Sequence, residues 1–254
     1  MKPPHIDDQE WQLRRELADC YHLFAHLGWA ESIFNHITLR VPGNERRYLI
    51  NPFGLLYNEV TPENLVKVDV DGNPIGSGDL SINPAGFINH GAIHRARPDA
   101  HCIMHVHTTA AVAVACKKNG LSHDNFYGAQ FFGRVGYHAF EGISVHAHEQ
   151  PRLVKSLGKK DVLMLRNHGV LVVGHDIPHA FRWLWSLQRA CEVQCQAQAL
   201  SGPNTPLSPT VRRRSVKDAA EFAEGRTARL MFDAMVRQMR SARGTGWPKN
   251  QSAD

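Results

Sequence analysis

Apolar residues recur at helical spacing at the start of the chain. Trp11, Leu13, Leu17, Tyr21, Phe24 and Leu27 form one stripe that begins near Asp7 or Asp8 and stops at Gly28, which predicts an amphipathic opening helix. The period then shortens to two. Alternation from Phe34 to Val41 and again from Arg46 to Asn51, divided by Pro42, Gly43 and Asn44, predicts an antiparallel hairpin, and a third strand over 65–70 ends at the Asp71-Gly72 turn. A helical pattern from Gly86 to Arg97 breaks at Pro98 and gives way to the apolar strand HCIMHVH, His101 to His107.

A helix of small residues is expected from Thr108 to Lys117, and an irregular, glycine- and aromatic-rich stretch from Gly120 to Gly142. A short helix around Gln150 to Leu157 precedes two short strands, 162–165 and 170–173, with Asn167-His168-Gly169 at their junction. A long helix over 177–200 lines up Phe181, Leu184, Leu187, Cys191 and Cys195, and past a proline-rich loop (203–209) a final helix is expected near 217–239. The pattern predicts one domain over 1–240 and a flexible tail over 241–254.

With 254 residues, 43% apolar and 21% charged, the chain can bury a continuous core and is neither disordered nor fibrous. Its five cysteines are odd in number and lack C-x-x-C spacing, which points to reduced thiols and a cytoplasmic setting. No apolar run follows Met1 or approaches the ~18 residues of a membrane span, so neither secretion nor a membrane segment is expected. The net charge of +5 comes from scattered residues apart from 212–214 and 237–243, so it reads as a solvated surface and not as a nucleic-acid interface.

The 16 histidines are about double average usage, and their placement carries the chemistry. His105 and His107, two apart on a strand, point to one face and can reach one ion. On its own an H-x-H is equally a pair satisfied by hydrogen bonds near a strand end. His168, at the tight junction of two apolar strands, is the candidate third ligand. Three neutral imidazoles with an open position suit zinc, with manganese or iron as the alternatives.

The chain resembles the class II aldolase/adducin family from about Glu16 to Leu200. NHITLRVPG at Asn35, INPFGLLYNEVTPENLVKVDVDGN at Ile50, NPAGFINHGAIHRARPDAHCIMHVHT at Asn83, YHAFEG at Tyr137 and LRNHGVLVVG at Leu165 carry the resemblance in order and spacing. It implies a single α/β domain, a mostly antiparallel central sheet covered by helices, assembled as a cyclic homotetramer acting on a small molecule. It further implies that His105, His107 and His168 bind one divalent metal, usually zinc, and that the reaction is retro-aldol cleavage of a small sugar phosphate through an enediolate held on the metal.

The chain also departs from that pattern. The carboxylate that moves the proton in the aldolases falls on Gly86, and two phosphate-binding serines fall on Pro84 and Ala85, which have no side-chain donor. Asn35 and Gly54 match other substrate contacts. Tyr137 matches a tyrosine that acts as acid, although it also reads as a half-buried loop aromatic; Glu141 is the nearest carboxylate in the same loop. His90, one turn beyond Gly86, ranks second among the remaining imidazoles (His36, His94, His101, His138, His146 and His148 being the others), with a helix-surface position as its plainer reading. The function expected is a divalent-metal lyase cleaving a C–C bond in a small hydroxy-carbonyl or carboxylated compound through a metal-bound enolate. The alternatives are a metal-dependent decarboxylase or non-haem iron oxygenase, and an adducin-like binding module without turnover.

Overall fold

The structure is a computed structural model that describes residues 2–43, 46–76, 81–142, 147–223 and 226–244. The opening stripe folds as α1 (Asp8–His26), capped by Asp7, whose carboxylate accepts from the Glu10 amide at 2.7 Å and so satisfies one of the free donors of the first turn. The alternating segments form β1 (His36–Val41), β2 (Arg47–Ile50) and β3 (Val66–Val68), paired antiparallel in sequence order. Tyr21 of α1 ties down their near ends, its hydroxyl accepting from the amides of Ile37 and Asn51, each at 3.1 Å.

Helix α2 (Pro84–Ala96) leads into β4 (Cys102–Val106), and α3 (Thr109–Ala115) follows. The stretch expected to be irregular contains a short helix, α4 (Phe126–Ala129), and a strand, β5 (Val135–His138). Only four residues long and with Gly136 inside it, β5 has too little alternation to register as a strand; its parallel pairing with β6 holds it in place. After α5 (Gln150–Leu157) come β6 (Val162–Leu165), β7 (Gly169–Gly174) and the long α6 (Ile177–Ala199).

Where one final helix was expected there are two, α7 (Pro209–Ala223) and α8 (Arg226–Ala242). The sequence has Glu224-Gly225 between them, and glycine is a poor helix former. Residues 245–254 of the expected tail lie outside the described residues, as do His146 and Asn44. No helix of the described residues is long and apolar enough to cross a membrane.

The strands make one sheet in the order β3-β2-β1-β4-β7-β6-β5, antiparallel except for β5 with β6. This is the mostly antiparallel α/β architecture expected. Strand pleating sorts the core onto two faces. Ile37, Leu39, Cys102, Met104, Val106, Val170 and Val172 pack with Leu17, Tyr21 and Phe24 of α1 and Phe181 and Leu184 of α6. On the other face Ile103, Leu163, Leu165, Leu171 and Val173 pack with Ile93 of α2 and Leu153 and Leu157 of α5. His105 sits opposite Leu171 in register and so belongs to the α2 and α5 face.

Candidate metal centre

His105 is the penultimate residue of β4, and His107, just past the strand end, shares its side of the pleat. His168 reaches them through a turn in which Asn167 takes the left-handed conformation (φ 57°), one that asparagine tolerates better than most residues. Gly169 lets β7 approach β4 closely: a Cβ there would lie 2.6 Å from the Val106 carbonyl and 2.8 Å from the His107 ring. One ligand nitrogen from each of His105, His107 and His168 lies within 4.8 Å of the other two.

The donor set fits a cation. His105 Nδ1 donates to the Val170 carbonyl at 2.9 Å, and His107 Nδ1 donates to the Glu31 carboxylate. His105 Nε2 is therefore a lone-pair end, and His107 Nε2 stands 2.7 Å from it. Two ring nitrogens at that separation need a shared electrophile, a proton or a cation, between them. Burial pushes the His168 pKa down to about 4 and pushes that of His105 well below its ordinary value. Imidazoles whose far nitrogens are held by a carbonyl and a carboxylate are the chemistry of a divalent metal site.

The three histidines lie in a cavity of about 550 Å³, walled by Phe34, Phe53, Phe140 and Leu171 and by His36, Gly86, Asn89 and His90. His36 is the register partner of His105 across β1 and β4, which places it on the same face with ring centroids 5.2 Å apart. Gly86 is the space that His36 needs: a Cβ at 86 would stand 2.7 Å from His36 Nδ1. His90 is fully buried, with its ring 4.3 Å from that of His36, in contrast to the helix-surface position that α2 alone suggested.

Other sequence candidates are not brought to the cavity. Tyr137 pairs with Met164, whose partner Val170 faces α1 and α6, so the phenol lies on the opposite face of the sheet. Its hydroxyl accepts from the Leu121 amide at 3.1 Å. Glu141 turns to Arg152, whose guanidinium holds its pKa below the ordinary carboxylate value. Asn35 is buried, with its amide donating to the Trp29 carbonyl at 3.0 Å, and Gly54 serves a turn at φ 93°; neither lines the cavity, whereas Gly86 does. Glu31, Asn89 and the phenylalanines are additions. No periodicity marks Glu31, which lies in the loop before β1, and only strand register reveals that His36 faces His105.

Burying so many neutral imidazoles has a pH consequence. Burial pushes the His94 pKa down to about 3 and that of His36 to about 4, against an ordinary 6.5. Below pH 6.5 the unfolded chain therefore takes up protons that the folded chain refuses, so stability present above that value is lost as pH falls towards the folded values. The expected slope is about 1.4 kcal/mol per pH unit for each such histidine. Urea midpoints measured between about pH 7.5 and about pH 5 should fall accordingly, and the fall should be shallower in His94→Asn; equal slopes would contradict the assignment.

The family model described as the class II aldolase and adducin N-terminal domain matches residues 15–195. A solved aldolase II superfamily protein from Pseudomonas syringae is 38% identical, with a TM-score of 0.89 over 94% of this chain and 96% of that one. The L-fuculose 1-phosphate aldolase from Glaciozyma antarctica is 28% identical, with a TM-score of 0.81 over 98% and 97% of the two chains. Rat alpha-adducin is 45% identical over 199 residues, 77% of this chain and 27% of the adducin. With most of its length matched and its fold shared end to end, the chain belongs to the class II aldolase and adducin family.

Proposed function

We propose that this protein is a divalent-metal-dependent lyase that cleaves a C–C bond in a small hydroxy-carbonyl or carboxylated compound. The observation that carries the reading is the convergence of the His105 and His107 Nε2 atoms, 2.7 Å apart, with His168 at the wall of a cavity of small-molecule size. His105, His107 and His168 would hold the ion, zinc first and manganese or iron as alternatives. When bound, the ion supplies Lewis-acid polarisation of a carbonyl oxygen.

The chain's own groups do the rest. The Val170 carbonyl and the Glu31 carboxylate orient the ligating rings. Phe34, Phe53 and Phe140 give the cavity apolar walls. Glu31 is the carboxylate among the described lining residues, and with Tyr137 on the far face of the sheet we assign it the proton transfer at the reacting carbon. The half-exposed rings of Phe34 and Phe140 at the cavity mouth suit cover by a neighbouring subunit, in keeping with a homotetramer, which light scattering would check.

The likeness to alpha-adducin favours a second reading, a binding module without turnover. The two are separated by loading the protein with zinc, manganese or ferrous iron and supplying a panel of hydroxy ketones and hydroxy acids. The expected result is release of an aldehyde or ketone fragment, abolished by chelator and regained with the metal. Carbon dioxide release or oxygen uptake in its place would assign a decarboxylase or an oxygenase. A full complement of metal with no turnover at all would leave the binding module.

A further inference from the structure

Behind the three metal-site histidines, Thr38, His90 and His94 form a chain of hydrogen bonds whose direction can be followed from one end. The Ala100 carbonyl can only accept, so His94 Nδ1, 2.8 Å from it, carries a proton. Burial keeps His94 neutral, which leaves its Nε2 a bare lone pair. That lone pair is 2.8 Å from Thr38 Oγ1 and takes the single hydroxyl proton. Thr38 Oγ1 is then free to accept, and it accepts from His90 Nδ1 at 2.8 Å. His90 is fully buried and, by that burial, neutral. Its Nε2 is consequently a fixed acceptor, and it has no hydrogen-bond partner.

A buried acceptor without a donor costs about 1–3 kcal/mol and is uncommon in native proteins. This one belongs to a residue of the cavity wall. So does a second: Oδ1 of the neighbouring Asn89 is also buried and unpartnered. Among the described residues, no arginine or lysine lines the cavity, and the one charged side chain there is Glu31. A phosphate or a second carboxylate would find no cation there, and at His90 Nε2 and Asn89 Oδ1 it would meet acceptors. A ligand hydroxyl has one proton to donate and would complete one orphaned atom, so a pair of hydroxyls would complete both.

We propose that His90 Nε2, locked as an acceptor by Thr38 and His94 and assisted by Asn89, selects ligands that carry a further hydroxyl beside the oxygens that chelate the metal. The substrate class is thereby narrowed to polyhydroxylated acids or ketones without a phosphate. The inference rests on the metal-dependent reading given above, but the state of His90 does not depend on the ion.

Two experiments test it. In the first, nitrogen-15 NMR of histidine-labelled protein, with and without zinc, reads the tautomer. His90 is expected to show a protonated Nδ1 and a bare Nε2, and Thr38→Val is expected to release it to a mixture of tautomers. A protonated Nε2 in the wild type would overturn the proposal.

In the second, the zinc-loaded full chain is titrated with lactate and glycerate, which chelate alike and differ by one hydroxyl. The wild type should bind glycerate about tenfold more tightly, the yield of one good hydrogen bond to an otherwise unpaired group. His90→Asn keeps an N–H close to the Nδ1 position, so the bond to Thr38 and the fold survive, and removes the acceptor. It should erase the preference while leaving lactate affinity and zinc content unchanged, which a merely structural role for His90 would not do. Equal binding of the two acids by the wild type, binding of neither, or a preference that survives in His90→Asn would each overturn the proposal. Failure to bind zinc would instead overturn the metal-dependent reading alone, since the tautomer is read without the ion.

Discussion

Replacing His105 by alanine should leave the protein unable to hold a divalent ion. His105 is the most buried of the three proposed ligands, and the Val170 carbonyl fixes its ring with Nε2 towards His107. Loss of an outer-shell partner of a metal ligand typically costs ~10–100-fold in affinity, and loss of the ligand itself should exceed that. Glu31→Gln provides the graded comparison, because it keeps an acceptor for His107 Nδ1 and removes the charge. Metal content by elemental analysis and affinity by chelator competition should therefore rank wild type, Glu31→Gln and His105→Ala in falling order. Stoichiometric metal in His105→Ala would show that the three imidazoles are not the site.

That ranking includes one residue read from the sequence and one that was not, and the difference is physical. His105 and His107 were legible because a strand has a period of two, which fixes their common face without knowledge of any neighbour. The same period also excludes Tyr137 from that face, but only once β5 is known to pair with β6 in a register that sets Tyr137 beside Met164. Register is a property of two strands, and no single segment encodes it. His36 was hidden for the same reason: it meets His105 through the pairing of β1 with β4, across 69 residues of chain.

Glu31 and the His90 relay illustrate a different limit. Glu31 lies in a loop, where side-chain direction follows from the turn and not from a repeat. His90 and His94 are four apart on α2 and share one face, which helical spacing does show. That this face is buried against Thr38 depends on where α2 lies on the sheet. The long elements were read nearly to their ends. The short α4, the weakly patterned β5, and the division of the last helical segment into α7 and α8 were missed.

The other large effect concerns position 86. The purified protein should cleave L-fuculose 1-phosphate at least ~10²-fold more slowly than a fuculose phosphate aldolase assayed beside it, the lower end of what a positioned general base contributes. Gly86→Glu should not repair this. A Cβ at 86 would stand 2.7 Å from His36 Nδ1 and 2.9 Å from both Cε1 and Cγ of the same ring. The imidazole is rigid, buried, and flanked by His90 and His105, so it cannot yield as the end of a flexible chain would. Overpacking of this kind costs about 1–3 kcal/mol, which urea denaturation of Gly86→Glu should register as a lowered midpoint. Removing the obstacle should reverse the sign: in the double variant His36→Ala with Gly86→Glu the carboxylate gains the space the ring vacates. Residues in direct contact couple by ~0.5–3 kcal/mol, so the double variant should be more stable than the sum of the two single losses predicts. Strict additivity would show that His36 and position 86 do not compete for the same space, and brisk sugar-phosphate cleavage by the wild type would show that the reaction does not need a carboxylate at 86.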